Sequence, residues 1–265
     1  MIEEIRQIQR VVFAIFVREL KTRFGKYRLG YFWALLEPIL HIVIFVGIRG
    51  VIAGSLRGGA EKFIYHVDYP LFLASGLVPF FMFSHSVSQI MNSINANRGL
   101  FYYQSVKPID AMMARWLLEG VIFIFVWIFI FLALDYAGFK TTIKDPLGLI
   151  GIYILFYLFS FGLGLIFCIM VNLFEELAKI MPTIMMLLFF TSGIFFSINI
   201  IPVQFQSYLL WNPILHFLEL SRTCFFPLYK ADMCSIEYVT ICTILAIGAG
   251  LFLYKFKIKE ILASE

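Results

Sequence analysis

Six long apolar stretches, separated by short charged segments, organise this chain. They run over about 32–53, 69–91, 112–136, 147–171, 180–200 and 238–254. Each is near the ~20 residues that carry a helix across a ~30 Å hydrocarbon core, where only a helix satisfies every backbone group internally. The pattern therefore predicts an all-α integral membrane protein with six transmembrane helices. Residues 1–31 follow a different rule. Ile5, Ile8, Val12, Ile15, Phe16, Leu20 and Phe24 recur every three or four positions, with Arg6, Arg10, Arg18, Lys21 and Arg28 between them. That spacing predicts an N-terminal amphipathic interface helix lying along the cytoplasmic membrane surface. Gly25 and Gly30 then permit a turn before the first span.

Between the fifth and sixth stretches the pattern breaks again. Residues 201–230 are apolar, but Asn212-Pro213 divides them into pieces too short to cross a bilayer. Re-entrant helices before the last span are the expected outcome. Glu219 and Arg222 lie three apart on one face there and are expected to neutralise each other. The same logic pairs Glu37 with His41 and Arg115 with Glu119, four apart in each case. Glu37-Pro38 suits a kink near the cytoplasmic end of the first span, and Gly148, Gly151, Gly162 and Gly164 in the fourth span suit close helix packing.

Composition agrees with the pattern and narrows it. Hydrophobic residues make up 61% and charged residues 14% of 265, too little polar surface to coat a water-facing globule. The spans consume nearly the whole length, so the expected organisation is residues 1–31 as interface helix and 32–265 as one six-helix domain. Residues 1–31 lack the short apolar core of a cleavable leader, and the first span is expected to act as its own insertion signal. Lys and Arg collect on one side of the spans: the first 31 residues, then Arg98, Lys107 and Arg115, then Lys179, then Lys255, Lys257 and Lys259. Positive charge is retained in the cytoplasm, which places both termini there.

The catalytic signatures are missing. There is no GxxxxGK[ST] phosphate loop, no HExxH or comparable metal spacing, no GxSxG elbow, and no relay of acidic residues through the spans. The chain is read as a non-enzyme that binds no cofactor or metal and draws its energy from another subunit. Cys224 and Cys234 flank an irregular segment, and the sequence leaves their pairing open.

Three blocks carry a resemblance. The first is Arg18-Glu19-Leu20-Lys21-Thr22-Arg23-Phe24-Gly25-Lys26-Tyr27-Arg28-Leu29-Gly30-Tyr31, continuing to Leu36-Glu37-Pro38. The second is Gly99-Leu100-Phe101 with Val106-Lys107-Pro108-Ile109-Asp110. The third is Ser207-Tyr208-Leu209-Leu210-Trp211-Asn212-Pro213 with Glu219-Leu220-Ser221-Arg222. With the six-span plan they resemble capsular-polysaccharide export permeases (the KpsM type) of the ABC-2 family. A local departure is Tyr103-Gln104-Ser105, where a basic residue is expected before Val106.

The resemblance implies a homodimer bound to two cytoplasmic ATPase subunits, with ATP and Mg on those partners. The resemblance also implies movement of lipid-linked polysaccharide across the bacterial inner membrane, with periplasmic and outer-membrane export proteins beyond. It implies ATPase coupling around Arg98, Phe101, Tyr102, Lys107, Pro108 and Asp110, and a re-entrant gate at Tyr208, Trp211, Asn212, Pro213, Glu219 and Arg222. The density of Arg18, Lys21, Arg23 and Arg28 suggests contact with the anionic substrate end or lipid headgroups. No nucleic-acid partner is expected. An O-antigen or teichoic acid permease is the near alternative, and a membrane-embedded glycan transferase the distant one.

Overall fold

The computed structural model describes residues 2–25, 30–55, 67–103 and 105–263. Among them are ten α-helices and no strand: α1 (Ile2–Gly25), α2 (Gly30–Ser55), α3 (Tyr69–Met91), α4 (Ser93–Asn97), α5 (Pro108–Tyr136), α6 (Pro146–Leu173), α7 (Glu176–Thr191), α8 (Val203–Gln206), α9 (Pro213–Phe225) and α10 (Ile236–Ala263). Four of them, α3, α5, α6 and α10, are long and apolar enough to cross a membrane.

Prolines set where several helices begin. Lys107, Asp145 and Asn212 each precede a proline and hold extended backbone, with ψ of 148°, 91° and 110°. A residue before proline is pushed out of the helical region, and proline itself fits the first helical turn, whose N–H groups have no intrahelical partner. Asp145 and Asn212 add side-chain caps, accepting from the N–H of Gly148 and of Ile214, each at 3.0 Å. At the start of α5 the carboxylate of Asp110 reaches back to accept from Lys107 N–H at 2.9 Å. Asp110, the third residue of α5, thus caps the start of the helix by reaching back.

The fifth apolar stretch does not continue as one helix. α7 stops at Thr191, although the sequence stays apolar to Ile200, because Gly193 takes a left-handed φ of 72° that ends the helix. A 3-10 turn over Ile198–Ile200 follows. The 16 residues of α7 span about 24 Å at 1.5 Å per residue.

α3 is the central element, lined on successive faces by α2, α5, α6 and α9. Its Phe83 ring stacks on Phe156 of α6 at 5.2 Å, and Phe156 on Phe217 of α9 at 4.7 Å. α9 is accordingly buried against protein along most of its length. α6 and α10 pack most closely. A Cβ on Gly162 would lie 2.6 Å from the backbone of Ile247, and one on Gly250 would lie 2.9 Å from Gly162 O. Small residues allow helices to approach within backbone distance. Gly164 instead makes room for the Ile90 side chain of α3, 2.6 Å from where its Cβ would lie, whereas Gly151 faces open space.

The outward faces are apolar. Phe125, Phe129 and Leu132 on α5, and Ile244, Leu245 and Phe252 on α10, are all exposed. Contiguous exposed apolar area of this extent is rare on a water-soluble monomer and ordinary against lipid.

α1 has a protein-facing side that the spacing of its apolar residues did not reveal. Val12 and Ile15 are buried against Ala114 of α5, with Leu100, Val106 and Met113 around them. Much of its apolar stripe therefore meets protein, while Ile8 and Phe13 remain open.

Candidate functional site

Two polar clusters stand out, one at each end of the α3–α5 pair. The first joins α1 to the connector after α3. Glu19 follows Val12 and Ile15 by seven and four residues, so it sits on the packed face of α1 and is only 7% exposed. Arg115 of α5 grips it in a bidentate pair, Nε to Oε1 at 3.1 Å and Nη2 to Oε2 at 3.2 Å. Nη1 of Arg115 turns the other way, toward Gln89 O at 3.5 Å and Asn92 O at 3.4 Å, at the end of α3. Arg18 donates to Glu19 at 3.2 Å and also to the Asn97 side chain of α4. Asn97 in turn donates to Ser93 O at 2.9 Å. Burial alone would raise the Glu19 carboxyl, but the Arg115 hydrogen bond and charge, helped by Asn97 and Arg18, outweigh it and hold it below the ordinary value.

This overturns one expected pair. Arg115 reaches Glu19, 96 residues away, rather than Glu119 on its own helix. Glu37 likewise meets His85 of α3 at 3.5 Å, while His41 turns its Nδ1 to the Glu37 carbonyl at 2.8 Å. In both cases a side chain on another helix takes the place of the expected partner four residues away.

The connector residues divide into inward and outward sets. Phe101 packs against the cluster of Ile90, Ile94, Met112 and Ile261. Pro108 and Asp110 are buried. Tyr102 is 91% exposed and Tyr103 also faces out, as do Arg98 and Lys107. Arg98 bonds Asn95 at 2.9 Å. Of the basic N-terminal set, Arg18 is engaged in the Glu19 cluster and Lys21 is exposed. Arg28 lies outside the described residues, as does the side chain of Arg23. Gln104 lies outside them too.

The second cluster is fully buried. Glu219 and Arg222 of α9 meet at 3.0 Å with no exposed surface on either. Arg222 also donates to Gly193 O at 2.7 Å and Ile194 O at 3.1 Å, and sits 3.7 Å over the Phe72 ring. Its Nε lies 3.4 Å from Ser75 Oγ of α3. Gly76 makes room for it, since a Cβ there would come within 2.7 Å of Nη2. Glu219 accepts from the Tyr229 hydroxyl at 2.8 Å and from Ser197 at 3.4 Å. The pair thus pins α9 to α3 and to the turn after α7.

Asn212 extends the pin, donating to Ser192 Oγ at 3.1 Å. His216 is held as a neutral Nε2–H tautomer: Nδ1 accepts from Ser235 N–H at 3.3 Å, so Nε2 donates to Leu210 O at 2.8 Å. Pro213 begins α9. Tyr208 and Trp211 are exposed, and Trp211 O accepts from the Tyr238 hydroxyl at 2.6 Å. Cys224 and Cys234 are both free thiols.

Reading the sequence missed Glu19, Asn97, Ser75, Gly76 and Tyr229. Only Glu19 left a trace, a charge placed where the helical stripe calls for an apolar residue. The others act across large sequence separations. Among the described residues no cluster of His, Cys, Asp or Glu could hold a metal ion.

Comparison with known proteins adds family context. The ABC-2 type transporter family profile matches residues 10–226. The polysialic acid transport protein KpsM of Escherichia coli is 40% identical over 259 residues, covering 97% of this chain and 98% of that protein. The capsule polysaccharide export inner-membrane protein BexB of Haemophilus influenzae is 29% identical over 246 residues, covering 93% and 90%. The capsule polysaccharide export inner-membrane protein CtrC of Neisseria meningitidis serogroup A is 27% identical over 254 residues, covering 92% and 89%.

Proposed function

Since the chain belongs to the ABC-2 type transporter family, we propose that it is the membrane permease of an exporter of lipid-linked capsular polysaccharide. The observation that carries this reading is the end-to-end match to a polysialic acid transport protein at 40% identity. Exposed apolar faces on α5 and α10 suit the lipid environment of an inner membrane. A hydroxyl-rich glycan cannot enter hydrocarbon unaided, because each unsatisfied polar group costs several kcal/mol. A protein-lined path is therefore required, and two copies around a twofold axis would enclose one where a single small bundle would not.

In this scheme α2 and α7 join α3, α5, α6 and α10 to make six spans, with residues 201–230 dipping into the outer leaflet and both termini cytoplasmic. Two separate ATPase subunits bind ATP and Mg and press on residues 98–110. The solvent-facing Tyr102, Arg98 and Lys107 suit such a contact, while inward Phe101, Pro108 and Asp110 tie it to the helices. Lys21, with Arg23 and Arg28, offers charge to an anionic substrate end or to lipid headgroups. The permease itself performs no chemistry. The exported glycan passes to periplasmic and outer-membrane partners.

The test is co-purification of the tagged chain from its native membrane, followed by glycan analysis of cells lacking it. A stoichiometric ATPase and intracellular accumulation of capsular glycan are the expected results. Accumulation of lipid-linked O-antigen or teichoic acid would replace the substrate assignment, and sugar transfer by the purified chain alone would replace the function. Tyr102→Ala combined with Lys107→Ala should weaken ATPase association and ATP-dependent export. Unaltered assembly and export would remove the connector from the coupling role.

A further inference from the structure

An exporter driven from outside must carry movement of the connector into its spanning helices. The cluster around Glu19 is built where that transfer would occur. Glu19 is nearly inaccessible and bonded to Arg115 through both carboxylate oxygens. Arg115 touches the carbonyls that end α3. Arg18, next to Glu19, bonds the Asn97 side chain in α4. Beneath these polar contacts Val12 and Ile15 of α1, Leu100 and Val106 of the connector and Ala114 of α5 share one apolar cluster. Separating α1 from α5 strands a shielded carboxylate and guanidinium without their counter-charges. Withdrawing the connector breaks the Arg18–Asn97 bond and the Arg115 contact with Asn92 O, so the three cost less to move together.

We propose that Glu19 and Arg115 are positioning residues that clamp α1, the connector at Asn92, Asn97, Leu100 and Val106, and the first turns of α5 into one rigid lever, so that force on the connector reaches α5 and α3 without dissipating in α1. This inference rests on the permease reading above, and it makes α1 a working part of the stroke rather than a passive anchor. Glu19 touches no substrate in this scheme; its role is to hold Arg115 and Arg18 in register.

The experiment compares the wild-type complex with Glu19→Gln, Arg115→Glu and the charge-swapped double variant Glu19→Arg/Arg115→Glu. Four quantities are read for each: membrane level with ATPase co-purification, ATP hydrolysis, glycan export, and backbone hydrogen exchange of the purified complex. The clamp predicts that Glu19→Gln assembles normally and keeps ATP hydrolysis within about twofold, while export falls at least about fivefold, the size of an ordinary coupling term. Exchange should rise in residues 11–19 and 98–107 together, and the double swap should restore both exchange protection and export.

Wild-type export by Glu19→Gln overturns the proposal. So does increased exchange confined to α1, or a double swap that restores exchange protection without export. If Glu19→Gln lowers membrane level and export in parallel, Glu19 is only structural and the proposal fails. The exchange readout needs no glycan. A wild-type complex that hydrolyses ATP yet moves no capsular glycan would defeat the exporter reading while leaving the rigid body itself still measurable.

Discussion

Arg222 is the largest fully buried side chain in the described residues, and its charge is matched by Glu219, two carbonyls and the Phe72 face. Removing one partner of such a pair leaves a buried charge uncompensated. Arg222→Ala should therefore destabilise the protein by about 3–5 kcal/mol. Glu219→Gln likewise leaves the buried Arg222 guanidinium without its counter-charge and should also cost about 3–5 kcal/mol. Unfolding of the detergent-purified protein measures both, and a loss under about 1 kcal/mol for Glu219→Gln would argue against the ionic pin. Glu19 makes a pH-dependent case. Its folded-state value lies below the ordinary 4.5, so its contribution is fully present above about pH 4.5 and is lost as pH falls through the lower folded value. The difference in unfolding temperature between wild type and Glu19→Gln should shrink as pH drops below that point and then vanish. A constant difference would mean that Glu19 stabilises by packing alone. Spacing revealed the Glu219–Arg222 contact in advance because both lie on one helix. Arg115 found Glu19 on a helix that no local rule brings near it.

At the scale of elements, helix starts were readable and one helix end was not. Lys107-Pro108, Asp145-Pro146 and Asn212-Pro213 act through sterics confined to adjacent residues, so they mark the beginnings of α5, α6 and α9 in any context. The stop at Thr191 depends on Gly193 adopting a positive φ, and glycine permits that conformation without requiring it. The fourth-span glycines show the same division. Sequence treats Gly151 and Gly162 alike, yet only Gly162 faces the α10 backbone. Gly162→Leu should separate α6 from α10 and lower folded yield, whereas Gly151→Leu should stay within about 0.5 kcal/mol of wild type. Paired thermal-stability measurements decide it; similar behaviour of the two variants would contradict the close approach.

For the whole molecule, apolar runs gave the membrane class and the charge distribution gave an orientation to test. Cysteine labelling from either side of sealed vesicles should find engineered sites at residues 3 and 260 both reachable from the cytoplasmic side. Labelling on opposite sides would exclude an even number of crossings. α1 is where the tertiary structure adds most to the pattern along the chain. Its stripe of apolar residues is equally compatible with a lipid surface and with a protein groove, since both reward burial of the same side chains. Only the position of Ala114 and its neighbours decides that much of it meets protein.

By itself the sequence determined what depends on neighbours along the chain: an all-helical membrane protein, most helix starts, the Glu219–Arg222 pair, and motif blocks dense enough to carry a family resemblance. Tertiary structure alone decided which charges meet across helices, where α7 stops, which glycines admit another backbone, and that α1 locks onto α5. The reason lies in range. Backbone sterics and helical periodicity act over a few residues, whereas a salt bridge or a close helix crossing is settled by where the whole chain places two distant segments.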